Sequence, residues 1–106
     1  MLKSHASERQ WLPTDYDGID RSVLRLNDGG GRTSLVRLVA GSRFPRHAHV
    51  GSEEVLVIEG KVVIGEATLA AGDYLYTEAG EEHDVQALED SVIYVASQKQ
   101  TPIVER

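Results

Sequence analysis

The chain contains no cysteine. This absence excludes disulfide bonds, thiolate metal sites and a cysteine nucleophile. Long apolar runs are also missing, since none approaches the roughly 18 residues of a membrane-spanning helix. The first ten residues, MLKSHASERQ, lack the apolar core of a signal peptide. We therefore expect a cytoplasmic protein with no membrane partner.

Positive charge is scarce relative to negative charge. Eleven Lys and Arg residues stand against 17 Asp and Glu residues, for a formal net charge of −6. A general nucleic-acid binder needs a basic surface to displace counterions, so we expect no nucleic-acid partner. The acidic residues are scattered along the chain and do not form the block typical of a disordered acidic tail.

Helical periodicity is absent as well, and short apolar runs separated by glycine-containing turns take its place. Ten glycines in 106 residues favour a turn-dense fold. This pattern is typical of an all-β sandwich or barrel. The length predicts one domain, with a flexible N-terminal arm at 1–10, the barrel at 11–97 and a C-terminal tail at 98–106.

Two segments carry more specific predictions about this fold. Asn27-Asp28-Gly29-Gly30-Gly31 follows a predicted strand at Ile19–Leu26, and it has the composition of a hairpin tip. Residues 54–58, EVLVI, are almost wholly apolar, as expected of a strand buried between two layers.

Three of the four histidines fall into one pattern with a carboxylate. His47 and His49 are two residues apart, so an extended strand points both to one face. Glu53 follows after a short turn, and His83 must come from a second strand. Imidazole nitrogen and carboxylate oxygen suit a divalent metal such as iron, zinc, nickel, copper or manganese. The fourth histidine, His5, lies in the predicted arm, and we expect it to be solvated.

At these positions the sequence resembles the cupin superfamily. Its first motif matches Gly41, His47-Ala48-His49, Glu53 and Gly60, and its second matches Gly72, Gly80 and His83. The proline and asparagine usual in the second motif are Glu78 and Ala87 here. The resemblance implies a small antiparallel jelly-roll barrel whose mouth holds a metal on His47, His49, Glu53 and His83. Glu54 is the competing carboxylate, and we prefer Glu53 because alternation turns Glu54 to the other face.

A looser match indicates one branch of that superfamily, the ChrR-like cupins. It rests on Trp11-Leu12-Pro13, on Phe44-Pro45 before the histidines, and on Val57-Ile58-Glu59-Gly60. The branch includes the zinc-binding C-terminal domain of ChrR-type anti-sigma factors and enzymes like acetylacetone dioxygenase. Two functions follow from this resemblance. One is a metal-dependent dioxygenase acting on an enolisable, diketone-type substrate, and the other is a non-catalytic regulatory or ligand-sensing module.

Glu53 and Glu78 are the candidate catalytic residues. The resemblance implies that Glu53 leaves the metal and acts as a base. Glu78 is close to His83 in sequence and is either a general base or a solvated turn carboxylate.

Three other polar residues have open roles. Tyr74 and Tyr76 share a face and either line the cavity or pack in the core with solvated hydroxyls. Arg37 marks either a strand edge or a cavity anchor for an anionic ligand. Val55 to Ile58 are expected to cover a neighbouring subunit, since cupins commonly form homodimers.

Overall fold

The computed structural model describes residues 1–105. Within them the chain forms one short 3-10 helix, Ala6–Glu8, and ten strands. The strands are β1 (Leu12–Pro13), β2 (Ile19–Leu26), β3 (Arg32–Leu38), β4 (Arg43–Ala48), β5 (Glu53–Glu59), β6 (Lys61–Ile64), β7 (Ala67–Ala70), β8 (Tyr74–Thr77), β9 (Glu82–Ala87) and β10 (Ser91–Ser97). No helix among these residues is long and apolar enough to cross a membrane.

The strands form two antiparallel sheets that enclose one core. The larger sheet has the order β1-β2-β3-β10-β5-β8, and the smaller has the order β4-β9-β6-β7. The inward side chains of both sheets are apolar and meet in one cluster, which includes Ile19, Val36, Leu38, Val55, Val57, Val62, Ile64, Val85 and Ile93. The prediction of an all-β jelly-roll barrel is confirmed.

The hairpin between β2 and β3 confirms the turn predicted from Asn27–Gly31. The Asn27 amide donates to the Gly31 carbonyl at 2.8 Å, and Asn27 Nδ2 donates to the Ser97 carbonyl at 2.9 Å. A Cβ at Gly31 would overlap that Ser97 carbonyl, so this close approach requires glycine. The hairpin tip is therefore tied to the end of β10.

Strand β5 differs from the prediction for residues 54–58. Val55 and Val57 point into the core and are 2% and 1% exposed. Leu56 and Ile58 point outward and are 37% and 47% exposed. The prediction that β5 is buried on both faces is wrong for a single chain. Within residues 1–105, the larger sheet has no second layer of structure on its outer side.

The C-terminal tail packs along β4. Ile103 forms a bridge with His47, the Ala48 amide donates to the Pro102 carbonyl at 2.9 Å, and the Val104 amide donates to the Arg46 carbonyl at 3.0 Å. The tail thus lies beside the predicted metal ligands. The last residue of the predicted 98–106 tail, Arg106, lies outside the described residues. The domain boundaries stay a prediction.

Candidate metal centre

The four predicted ligands lie together at one end of the barrel. One donor atom from each of His47, His49, Glu53 and His83 lies within 4.8 Å of the other three. All four residues are buried, with exposed fractions between 2% and 8%. Buried groups of this kind have lost most of their contact with water, so their remaining partners determine their charge and orientation.

Three strands bring these side chains together. His47 in β4 lies directly opposite His83 in β9, and their ring centroids are 5.0 Å apart. His49 follows the end of β4, with its ring 4.4 Å from that of His83. Glu53 begins β5 and pairs with Ser97 of β10. The site therefore joins the small sheet to the large one.

Hydrogen bonds to backbone carbonyls orient two of the imidazoles. His47 Nδ1 lies 2.9 Å from the Pro45 carbonyl, and His49 Nδ1 lies 2.8 Å from the Glu81 carbonyl. A carbonyl only accepts, so each Nδ1 carries the proton and each Nε2 of a neutral ring has a free lone pair. Metal-bound histidines are commonly held by this kind of contact.

The contact between the His49 ring and the Glu53 carboxylate tests most directly whether this cluster fits a cation. His49 Nε2 lies 3.3 Å from Glu53 Oε1. Because Nδ1 already holds one proton, two lone pairs would face each other here unless a proton or a metal ion lies between them. His83 Nε2 is buried and forms no hydrogen bond in residues 1–105. The donor set thus fits a divalent cation such as iron or zinc.

Burial and charge shift the pKa values in directions that suit this arrangement. Burial, together with the neighbouring His49 and His47, lowers the pKa of His83 to about 4. Burial also lowers the pKa of His47. Burial acts against His49 too, but its hydrogen bonds to Glu53 and to the Glu81 carbonyl leave the pKa of His49 raised. Two of the three rings are therefore neutral at neutral pH, as metal binding requires.

Glu53 is held as a carboxylate. Its burial favours the protonated form, but the hydrogen bonds from His49 and from Ser97 Oγ, the latter 2.7 Å from Glu53 Oε2, outweigh it and lower the pKa of Glu53. Glu54, the competing ligand, is exposed and accepts a hydrogen bond from the Tyr74 hydroxyl at 2.6 Å. The structure thus brings Glu53, and not Glu54, to the histidines.

A cavity of about 70 Å³ adjoins the cluster. His47, Glu53 and His83 line one side of it. A cavity of this size has room for several waters or for part of a small organic molecule. Apolar residues form most of the remaining wall, and five polar ones, Arg21, Arg32, Ser34, Ser97 and Thr101, complete it.

Comparison with known proteins identifies the family. The model of the ChrR cupin-like domain matches residues 2–102. The chain belongs to the ChrR cupin-like domain family. This domain is 32% identical over 97 residues to the DNA damage-repair/toleration protein DRT102 of Arabidopsis thaliana, covering 85% of this chain and 30% of that protein. The chain thus spans less than a third of the length of that relative.

Solved structures show the same fold. A proposed acetylacetone dioxygenase from Methylibium petroleiphilum PM1 is 25% identical with a TM-score of 0.85, and the match covers 99% of this chain and 86% of that one. The anti-sigma factor ChrR of Rhodobacter sphaeroides, solved in complex with SigE, is 23% identical with a TM-score of 0.76, covering 88% of this chain and 51% of that one. The resemblance to the ChrR-like cupins is therefore confirmed.

The structure does not bring every predicted residue to this site. Glu78 is exposed in the turn after β8 and does not line the cavity. Tyr74 and Tyr76 share a face as predicted, but that face is the outer one, where they are 53% and 52% exposed. Arg37 is exposed, pairs with Asp20 at 3.0 Å and lies over the Trp11 ring.

The turn that carries Glu78 explains one departure from the cupin motif. The Glu78 amide donates to Glu81 Oε2 at 2.6 Å, and proline at this position has no amide hydrogen to donate. The Glu81 carbonyl, in turn, accepts from both the amide and Nδ1 of His49. A side-chain hydrogen bond thus replaces the stiffness of proline in the turn that positions His49.

Sequence reasoning missed Arg21, Arg32, Ser34 and Ser97. Period-two alternation places Arg32 and Ser34 on the same face of β3 as the buried Val36 and Leu38. The alternation alone does not show which face of β3 is inward, because the opposite face carries Leu35 and is not purely polar.

Proposed function

We propose that this domain is a metal-dependent enzyme, a dioxygenase acting on a small enolisable substrate of the diketone type. The observation that carries the proposal is the cavity beside the ligand cluster. His47, Glu53 and His83 face an open space and not packed side chains, so a small molecule has room beside the ligands. A metal that served only to hold the barrel together would need no such space.

The chain's own residues have distinct roles in this proposal. His47, His49, Glu53 and His83 hold a divalent metal, and the apolar cavity wall limits the access of water. When bound, the metal supplies a Lewis acid that stabilises an enolate and, in the case of iron, the redox chemistry that dioxygen requires. Glu53 is the carboxylate of the cavity wall, and it would accept a proton from the substrate when it is not bound to the metal. Its lowered pKa keeps it ionised at neutral pH.

The similarity to a proposed acetylacetone dioxygenase supports this reading at the level of the family. It does not extend to Glu78, because the exposed position of that carboxylate leaves no contact with the cavity. We therefore propose Glu53 alone as the proton acceptor.

The test begins with the metal content of purified protein, measured by elemental analysis. His49→Ala removes a ligand, and His5→Ala is the matched control because His5 is exposed and far from the cluster in sequence. We expect one equivalent of iron in the wild type and in His5→Ala, and none in His49→Ala. The iron-loaded protein should then consume dioxygen when acetylacetone is added.

Three results would contradict the proposal. The absence of any metal after reconstitution would remove the metal centre. One equivalent of zinc, with no dioxygen uptake in the iron-reconstituted protein, would favour the regulatory function. Equal metal content in wild type and His49→Ala would place the metal elsewhere.

We also propose that two copies of the chain associate through the outer face of the larger sheet. Tyr74, Leu56, Tyr94 and Leu35 form one row there across β8, β5, β10 and β3. We call these four residues the outer row. A second copy would bury this exposed apolar surface, as an isologous dimer does. The cytoplasmic location stays a prediction from the sequence.

A further inference from the structure

Two arginines line the same cavity as the metal ligands. Arg21 comes from β2 and Arg32 from β3, at the side of the cavity that opens toward the N-terminal arm. Arg21 is partly buried, with its guanidinium carbon 6.0 Å from the centre of the Phe44 ring, and Arg32 is exposed. A cation with lost hydration in a cavity wall needs a compensating anion.

Neither arginine forms an ion pair in the described part of the chain, although the charge of Glu53 in the same cavity wall attracts Arg21. Arg37, Arg43 and Arg46 each form an ion pair with a carboxylate, but Arg21 and Arg32 form none. Glu8 and Asp15 line the outer cleft near both arginines, and they form no ion pair with them either. Burial and the charge of Arg32 lower the pKa of Arg21, and the charges of Glu53 and Tyr16 offset this only in part. The two guanidinium groups thus repel each other beside an open cavity, in a chain of net charge −6.

A third polar group points into the same space without a partner. Ser34 is 2% exposed, lines the cavity, and its Oγ forms no hydrogen bond within residues 1–105. Buried hydroxyls nearly always have a partner, and one without a partner calls for an explanation. A ligand oxygen in the cavity would supply it.

We propose that Arg21, Arg32 and Ser34 form a carboxylate-binding subsite, and that the substrate is a small enolisable carbonyl compound that carries a carboxylate. Guanidinium groups bind carboxylates in a planar, bidentate geometry. The carbonyl end of the substrate would face His47, Glu53 and His83, with its carboxylate on the two arginines. The cavity of about 70 Å³ has room for the reacting end of a short-chain acid. This inference deepens the proposed function and rests on it for the reaction, but not for anion binding.

The experiment compares two ligands that share a skeleton. 2,4-Dioxopentanoate is acetylacetone with a carboxylate in place of one methyl group. Both are titrated calorimetrically, without oxygen, into iron-loaded wild type, Arg21→Gln, Arg32→Gln and Arg37→Gln. We expect the wild type to bind the acid at least tenfold more tightly than the neutral diketone. Arg21→Gln and Arg32→Gln should each lose that preference and keep their affinity for acetylacetone within about twofold.

Arg37→Gln is the matched control, because this arginine lies on the outward face of β3, opposite the face that lines the cavity. Its preference for the acid should equal that of the wild type. Equal wild-type affinities for the two ligands would overturn the proposal, as would a preference that survives in both cavity variants.

A second measurement separates this proposal from the proposed enzyme function. Acetate is titrated into metal-free protein, and the shift of the melting temperature is recorded for wild type and Arg21→Gln. A stabilisation that needs Arg21 supports the subsite even if the protein never loads iron. If iron loads and acetylacetone drives dioxygen uptake, but acetate has the same effect on both proteins, the subsite alone is wrong.

Discussion

Ser97 Oγ donates a hydrogen bond of 2.7 Å to Glu53 Oε2, and the two residues are also paired partners across β5 and β10. Ser97 is 8% exposed, so this contact is shielded from water. One strand end thus sets both the backbone position and the carboxylate orientation of the only acidic member of the ligand cluster within residues 1–105. Ser97 is therefore a positioning residue for Glu53 in the candidate metal centre.

Replacing Ser97 with alanine should weaken metal binding. The variant loses the hydrogen bond that orients Glu53, and contacts of this kind typically contribute 10–100-fold in metal affinity. We expect the metal affinity to fall about 10–100-fold while the metal stoichiometry stays the same. Competition with a chelator measures both. Ser34→Ala is the matched control, since Ser34 is a buried serine of the same cavity whose Oγ forms no hydrogen bond with Glu53. An equal loss in both variants, or no loss in Ser97→Ala, would contradict the positioning role.

The metal-free protein should become less stable as pH falls from 7 toward 4. The pKa of His83 is about 4 in the fold against 6.5 for the free side chain, so between these values the unfolded chain binds a proton that the folded chain does not. The lowered pKa values of His47 and Glu53 act in the same direction, and the raised pKa of His49 opposes them. The shift in the pKa of His83 is large and lies across this pH window, so we predict a net loss of unfolding free energy.

Urea denaturation of the metal-free protein at several pH values between 7 and 4 measures this dependence. His83→Gln removes the imidazole with a pKa of about 4 and should flatten the curve in that window. His5→Gln should leave the curve unchanged, because His5 is exposed. A curve of unaltered slope in His83→Gln would show that another group causes the loss.

In the turn before β9, two substitutions of Glu78 separate the role of its backbone amide from that of its side chain. Glu78→Pro removes the amide that donates to Glu81 Oε2 at 2.6 Å. We expect a destabilisation of about 1 kcal/mol, since an exposed hydrogen bond to a charged group is lost and the rigidity of proline compensates in part. Thermal or urea denaturation measures it.

Glu78→Gln is the companion variant, because it keeps the amide and removes only the exposed carboxylate. Its stability and its dioxygen uptake with acetylacetone should match those of the wild type within about twofold. A large loss of turnover in Glu78→Gln would restore this residue as the general base that the sequence suggested.

The ligands were predictable from the sequence, whereas the arginines were not. His47 and His49 share a face through strand alternation alone. Gly60 of the first cupin motif and Gly80 of the second lie in turns with positive φ values of 83° and 95°. Arg21 and Arg32 line the cavity because their positions in β2 and β3 face the smaller sheet. Apolar residues occur on both faces of β3, so its sequence does not reveal which face is inward. Of the two roles left open for Arg37, the structure excludes that of a cavity anchor.

The homodimer is tested by the oligomeric mass in solution. Light scattering after size exclusion should give about twice the 11.6 kDa of one chain for the wild type. Leu56→Glu places a charge at the centre of the outer row, beside Tyr74 and Tyr94, and should give the mass of one chain. Leu88→Glu is the matched control, because Leu88 is also an exposed leucine, 48% against 37%, but lies in the turn between β9 and β10. A single-chain mass for the wild type would contradict the dimer, and equal dissociation in both variants would place the interface elsewhere.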